Sequence, residues 1–194
     1  MTPGAPGQAA GETGPRNGPR LFFALWPDDT VRAEFEHMLR RRLRTGIGRR
    51  VPTANLHITL LFLGAIGEAL RPCIERVGDD VGGAPFTLIL DRIGHWPRPR
   101  VLWAGPGHTP AEVYHLVGAL RRGVEDCGVP PDDRPFQAHM TLLRKVNRPP
   151  AGLAIDPVHW PVERFSLMES VPAEGGVTYR ELRSWPLASP AATK

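Results

Sequence analysis

Apolar residues in this chain fall into two kinds of pattern, short uninterrupted runs and stripes at helical spacing. The first run, residues 21–26, predicts a buried strand, and Pro27 marks its end. Asp28 and Asp29 then favour the positive N-terminal end of a helix. Three apolar stripes predict three amphipathic helices: Val31, Phe35, Met38, Leu39 and Leu43; Leu70, Ile74, Val77 and Val81; and Val113, Leu116, Val117, Leu120 and Val124.

Strand-like segments lie between and after these helices. A basic loop, residues 45–53, leads into the first of them, and the third helix starts at a capping-box pattern formed by Thr109, Pro110 and Glu112. Gly128 is placed to end that helix. We expect strands at residues 56–63, 86–90 and 101–104, within the segment 136–144, and around residues 162–171 and 177–183.

The two ends of the chain differ from the rest. Residues 1–19 are Gly, Pro, Ala and polar residues without periodicity, which predicts a disordered tail. Residues 188–194 are expected to fray at the C-terminus. A single domain, residues 20–187, remains, and its order of strands and helices predicts an α+β fold that is a worn internal duplication.

A short motif occurs twice in this domain, in its two halves. The segment NLHITLLFLG contains His57 and Thr59, and the segment RPFQAHMTLLR contains His139 and Thr141. Both motifs read His-x-Thr-Leu-Leu. In a strand, side chains at i and i+2 point to the same face, so each copy can present an imidazole and a hydroxyl together. One copy would be close to chance, but two copies in similar strand context predict a function.

The chemistry that suits such a pair is acid–base cleavage of a phosphodiester. Histidine titrates near neutrality, so one imidazole can activate the attacking oxygen while the other protonates the departing one. In-line displacement needs these groups on opposite sides of phosphorus, which accounts for two separate strands. Thr59 and Thr141 can stabilise the charge on the phosphate oxygens. Arg144 can add a charge-assisted contact, provided that a strand end or bulge turns it to the face of His139.

Other groups in the sequence predict no competing site. Two histidines without a third ligand in suitable spacing are a poor metal set, so we expect no metal and no cofactor. We interpret the remaining histidines as structural or surface residues: His37, His95, His108, His115 and His159. An RNA end would also need aromatic rings on which its bases stack, but we interpret the aromatic residues near the motif strands as core residues: Phe22, Phe62, Trp103 and Phe136.

Composition narrows the class of protein. The net charge is +4, and of 24 basic residues only Lys145 and Lys194 are lysine. The excess of arginine, a bidentate phosphate ligand, is consistent with phosphate binding and equally with codon bias. No apolar run is long enough to span a membrane, and the N-terminus does not resemble a signal peptide, so we expect a cytoplasmic protein. Two cysteines are too few for a disulfide scaffold or a cysteine zinc site, and both lie within helical patterns, so we interpret Cys73 and Cys127 as buried structural thiols.

With its two His-x-Thr motifs and the opening RLFFAL, the chain resembles the 2H phosphoesterase superfamily, and within it the bacterial RNA 2′,3′-cyclic phosphodiesterases, historically called 2′-5′ RNA ligases. The resemblance covers about residues 20–187. It implies a bilobal α+β fold in which two antiparallel-sheet lobes flank a central groove, with one motif from each lobe. It also implies roles: His57 as proton donor to the leaving 3′ oxygen, His139 as the base that activates water, and Thr59 and Thr141 as phosphate-binding residues.

The expected partner is therefore an RNA with a 2′,3′-cyclic phosphate end or a small cyclic nucleotide, bound by a monomer with no membrane association. Two alternatives remain open. The chain could act on another cyclic phosphate or on a 2′-5′ linkage with the same chemistry. It could also be a non-catalytic module that binds RNA ends, although binding alone would not need two titrating groups.

Overall fold

A computed structural model describes residues 18–43, 46–130, 132, 134–149, 151–174 and 176–188 of the chain. Most of the predicted N-terminal tail and residues 189–194 of the C-terminus lie outside these ranges. Ala188, which was expected to fray, pairs with Gly83 in an isolated bridge. None of the described helices has the length and apolar character needed to cross a bilayer.

The described part of the chain forms three α-helices and one sheet of nine strands. The helices are α1 (Asp29–Arg42), α2 (Arg71–Asp80) and α3 (Ala111–Asp126). The strands are β1 (Arg20–Leu25), β2 (Arg49–Arg50), β3 (Ile58–Ala65), β4 (Phe86–Trp96), β5 (Val101–Pro106), β6 (Met140–Arg144), β7 (Val158–Val162), β8 (Arg164–Ala173) and β9 (Gly176–Pro186). The predicted α+β class is confirmed.

The sheet is antiparallel and its strand order is β7-β4-β5-β6-β3-β1-β8-β9, with β2 paired to β6. Its centre is narrow, since β3 and β6 join through the single pair Ile58 and Met140. Four strands of this order lie on each side of the junction, and β2 adds a fifth to the half that contains His139, so the predicted lobes are two halves of one continuous sheet. The halves do not follow chain order, because the C-terminal strands β8 and β9 complete the half that contains His57. The internal duplication stays a prediction.

The helices cover the apolar face of the sheet. In α1 the Asp28 carboxylate accepts a hydrogen bond from the Val31 backbone N–H at 2.8 Å, which caps the helix as its acidic start predicts. The α1 stripe packs against β7, while α2 packs against β9 and α3 against β3. The stripes of all three helices merge with the buried strand residues into one main core. No residue of these three helices lines the groove on the opposite face.

Two predictions about α2 and α3 were wrong. The N-cap of α3 is Pro110, without a side-chain cap hydrogen bond, so Thr109 and Glu112 form no capping box. Cys73 and Cys127 are joined in a disulfide, because α2 and α3 pack face to face and bring their Cα atoms within 5.9 Å of each other. The 54 residues that separate the two cysteines in sequence gave no sign of this proximity.

Several strand boundaries also differ from the prediction. The first motif strand begins at Ile58, one residue after His57, and the second begins at Met140, one residue after His139. Strands β2 and β7 were not predicted: β2 is only two residues long, and β7 contains a proline. Gly128 ends the α3 region with a φ of 78°, as expected of a residue in the left-handed conformation.

Candidate active site

Each motif histidine is the last residue before its strand, and its ring is anchored in the same way. His57 Nδ1 lies 2.8 Å from the backbone oxygen of Asn55, and His139 Nδ1 lies 2.8 Å from that of Gln137. Because a carbonyl oxygen can only accept, Nδ1 donates the hydrogen in both rings. Nε2 of each ring is thereby left available for proton transfer, which the sequence could not determine.

A groove of about 1040 Å³ brings the two motifs together. Its lining includes both members of each pair: His57 with Thr59, and His139 with Thr141. In the first pair the Thr59 hydroxyl lies 3.1 Å from His57 Nε2, so the predicted i, i+2 contact is present. The four predicted motif side chains therefore share one cavity, although they come from positions 82 residues apart.

Arg144 also lines this groove, and a bulge explains how. On β5, the consecutive residues Leu102 and Trp103 pair with Leu143 and Thr141, so Leu142 is an extra residue on β6. The bulge changes the alternation of side chains, and Leu142 and Leu143 are both buried. Arg144 consequently lies on the same face of the sheet as Thr141. The odd spacing between His139 and Arg144 would otherwise place Arg144 on the opposite face, so the bulge fulfils the condition stated above.

Aromatic rings surround His57 on three sides. Its ring stacks on that of Trp26, with centroids 5.1 Å apart and planes inclined by 13°. Tyr179 meets it edge-on at 4.9 Å, and Phe22 lies at 5.2 Å. Tyr179 in turn contacts both other rings. We call Phe22, Trp26 and Tyr179 the aromatic enclosure of His57.

His139 has a different aromatic neighbour. Trp96 meets its ring at 4.5 Å with an angle of 75° and packs on Trp103 at 5.2 Å. Glycine makes this stack possible, since a Cβ at Gly94 would lie 2.0 Å from the Trp103 ring. Trp96 and Trp103 therefore form one side of the pocket around His139, and their packing requires glycine at position 94 of β4.

Burial lowers the pKa of both histidines from 6.5. The pKa of His57 falls to about 4, because burial disfavours the charged ring and the positive charges of His139 and Arg144 add to the effect, against the raising effect of the Asn55 carbonyl. The pKa of His139 is lowered by burial and by Arg144, while the Gln137 carbonyl raises it. In the free protein, both rings are thus biased towards the neutral form.

The groove is cationic. Six arginines and no carboxylate are found among the described residues that line it: Arg20, Arg49, Arg50, Arg98, Arg134 and Arg144. Some of these guanidinium groups are already engaged, since Arg50 donates to two carbonyls at the end of α1 and Arg134 pairs with Asp132. The remaining positive field still favours an anionic ligand, because no negative charge in the described lining offsets it.

No three His, Cys, Asp or Glu side chains among the described residues are grouped so that they could hold a metal ion. Metal independence itself stays a prediction. The other histidines are outside the groove lining: His95 Nε2 contacts the Val146 carbonyl at 3.1 Å, and His37, His108, His115 and His159 are exposed.

Sequence reasoning missed most of the aromatic residues at the site. Phe22, interpreted as a core residue, is buried in a small second core cluster on which Phe62 packs, and both also line the groove, while Phe136 packs on Tyr114 away from it. Trp26, Trp96 and Tyr179 had not been considered at all. Their local sequence carries no signal, because each reaches a histidine through the pairing and curvature of strands that are distant in sequence.

Comparisons with known proteins agree with this geometry. A model of the 2′-5′ RNA ligase superfamily matches residues 27–173. The RNA 2′,3′-cyclic phosphodiesterase of Escherichia coli is 33% identical over 174 residues, which cover 87% of this chain and 96% of that protein. The protein of the same name from Thermus thermophilus is 34% identical over 182 residues, covering 87% and 90%.

Solved structures give the same result. The crystal structure of E. coli LigT complexed with 3′-AMP superposes with a TM-score of 0.83 at 30% sequence identity, covering 89% of this chain and all of that one. The apo form of LigT gives a TM-score of 0.80 at 31% identity, covering 88% of this chain and 98% of that one. The resemblance read from the two motifs is thus confirmed over nearly the whole chain, and this protein belongs to the 2′-5′ RNA ligase superfamily.

Proposed function

We propose that this protein hydrolyses the 2′,3′-cyclic phosphate at the end of an RNA to a 2′-phosphomonoester. The observation that carries the proposal is the pair of histidines in one cationic groove, each with Nδ1 anchored and Nε2 available for proton transfer. Relatives that span nearly the same length carry the name RNA 2′,3′-cyclic phosphodiesterase. Two titrating groups on one phosphate support hydrolysis over mere binding.

The reaction divides between the two rings. His139 Nε2 takes a proton from water as its oxygen attacks phosphorus, and the bond from phosphorus to the 3′ oxygen breaks. His57 Nε2 donates its proton to that departing oxygen, which leaves the phosphate on the 2′ oxygen. Thr59, Thr141 and Arg144 stabilise the charge on the non-bridging oxygens. The net result is the addition of one water molecule.

This division requires His57 to be protonated, although its pKa in the free protein is about 4. Substrate binding favours the imidazolium, because the negative charge of the phosphate raises the pKa of a nearby ring. The substrate thus supplies part of the electrostatics that its own cleavage needs.

The test is an RNA oligonucleotide with a 2′,3′-cyclic phosphate end, with product identified by which hydroxyl keeps the phosphate. We expect a 2′-phosphate, undiminished activity in EDTA, and a loss of about 10²- to 10⁴-fold in His57→Ala and His139→Ala. His37→Ala, at an exposed histidine of α1, is the matched control and should retain full activity. A 3′-phosphate product would reverse the roles of the rings, and intact RNA would refute the proposal.

A 2′,3′-cyclic mononucleotide belongs in the same assay, since the small cyclic nucleotide remains the alternative substrate. Faster turnover of the mononucleotide than of the RNA, at equal concentration, would favour it. Sedimentation and cell fractionation would test the expectations of a monomer and of a cytoplasmic protein.

A further inference from the structure

Asn55 makes two contacts that join separate parts of the site. Its backbone oxygen anchors Nδ1 of His57 at 2.8 Å, and its side-chain amide donates to the backbone oxygen of Val177 at 2.9 Å. Val177 lies at the start of β9, two residues before Tyr179. Asn55 itself ends a short 3₁₀-helix, Thr53–Asn55, whose backbone N–H bonds to Pro52 and Thr53 hold it in a fixed turn.

The contact with Val177 spans the curvature of the sheet. β9 is the last strand of its half, and β1 and β8 lie between it and β3. Three strand spacings on a flat sheet amount to about 14 Å. The Asn55 amide nevertheless reaches the Val177 backbone oxygen at 2.9 Å, and the rings of Tyr179 and His57 lie 4.9 Å apart, so the sheet curves and the start of β9 bends over the groove. The Asn55 amide bonds the bent segment to the residue that anchors the histidine.

Tyr179 is the part of the aromatic enclosure that depends on this bend. Phe22 lies within β1, and Trp26 is the residue that follows this strand. β1 is paired on both sides, with β3 and β8, whereas the strand of Tyr179, β9, is paired among the described strands only with β8. His57 already lines the groove, and if the start of β9 moved outwards, more of its ring would be exposed to water. The other titratable and charged groups that act on this ring, His139 and Arg144 on the far side of the groove, would stay in position.

We infer that Asn55 is a positioning residue that holds the Tyr179 side of the aromatic enclosure closed over His57. The inference adds to the proposed reaction, since it assigns a residue that controls the proton affinity and orientation of the ring that we take as the proton donor. Its first readout is a property of the free protein, however, and does not depend on which substrate is cleaved.

The second motif offers a matched position. Gln137 stands two residues before His139, as Asn55 does before His57, and its backbone oxygen anchors the ring at the same distance of 2.8 Å. Within the described residues, the side-chain amide of Gln137 makes no hydrogen bond. A comparison of Asn55→Ala with Gln137→Ala therefore separates the loss of the hydrogen bond to Val177 from any general effect of truncating the residue two positions before a motif histidine.

The experiment is an NMR titration of the histidine ring signals in Asn55→Ala and Gln137→Ala. Asn55→Ala should raise the pKa of His57 from about 4 towards 6.5 as the enclosure opens, and should increase hydrogen exchange at the start of β9. Gln137→Ala should leave the pKa of His57 unchanged. On RNA substrate, Asn55→Ala should lose about tenfold to 100-fold, mainly in kcat, because a ring without the Tyr179 contact is less precisely aligned for proton transfer, and this loss outweighs the larger protonated fraction that a higher pKa gives.

A double-mutant cycle with Tyr179→Ala identifies the route of the effect. If Asn55 acts through the Tyr179 side of the enclosure, adding Asn55→Ala to Tyr179→Ala should move the pKa of His57 little further. Additive shifts, or a pKa near 4 in folded Asn55→Ala, would overturn the inference. Asn55→Ser, whose side chain is too short to reach Val177, replaces Asn55→Ala if that variant fails to fold. An inactive wild-type protein would refute the proposed function and leave the pKa test intact.

Discussion

Reduction of the disulfide between Cys73 and Cys127 should destabilise the fold substantially. The bridge closes a loop with a sequence separation of 54 residues. On the chain-entropy model, a loop of this length removes about 14 cal/mol/K from the unfolded chain, which is about 4 kcal/mol at 25 °C. For a chain of this size, 1 kcal/mol corresponds to roughly 2–4 °C in Tm, so we expect the midpoint to fall by about 8–16 °C on reduction.

The assay is denaturant and thermal unfolding of the protein with and without a thiol reductant, with Cys73→Ser/Cys127→Ser as the matched variant. The reduced protein and the double variant should unfold at the same point, and the reductant should not change the variant. Phosphodiesterase activity at 25 °C should change less than about twofold, because α2 and α3 contribute no residue to the groove.

Two results would refute this reasoning. Alkylation of two free thiols in the non-reduced protein, measured by mass spectrometry, would mean that the bridge does not form. A reduced protein as stable as the oxidised one would mean that the packing of α2 on α3 alone confines the chain.

The remaining predictions concern the groove. The profile of kcat/KM against pH should be bell-shaped with the midpoints of both limbs below pH 6.5, because burial lowers the pKa of each motif histidine. The kcat profile should lie at higher pH, because bound phosphate raises the pKa of both histidines. Identical kcat and kcat/KM profiles would contradict this. Arg144→Ala should move both limbs of the kcat/KM profile to higher pH, because the positive charge that lowers the pKa of both histidines is removed. Unchanged limbs would exclude an electrostatic effect of Arg144 on the histidines. Gly94→Ala should cost about 1–3 kcal/mol of stability and reduce activity, because its Cβ would strike the Trp103 ring. Gly82→Ala, which faces open space, is the control for that unfolding measurement.

Local pattern was enough for most of the secondary structure. The stripe from Val31 to Leu43 corresponds to α1, and the run at residues 21–26 corresponds to β1. Such segments were predictable because the spacing of their apolar residues matches only one type of secondary structure that can bury those residues on a single face. Prediction failed where the partner mattered more than the segment: β2 exists because β6 offers it an edge, and Cys73 bonds to Cys127 because α2 packs on α3.

The candidate site divides in the same way. Because a repeated His-x-Thr in strand context is readable without coordinates, the motif pairs were identified from the chain, and the structure brings them into one groove. Arg144 was predicted on the condition of a bulge, which then appeared at Leu142. Which ring acts as the proton donor and which as the base stays a prediction.

The sequence by itself thus determined the chemical groups, the α+β class and the family, since these depend on residue identity and on periodicity along the chain. Only the tertiary structure decided what surrounds each histidine. Trp26 and Tyr179 flank His57 from segments that are remote in sequence, and the anchoring of Nδ1 on Asn55 leaves Nε2 available. The physical reason is that burial, ring orientation and proton affinity arise from contacts between distant segments, which a curved sheet creates and a linear pattern does not contain.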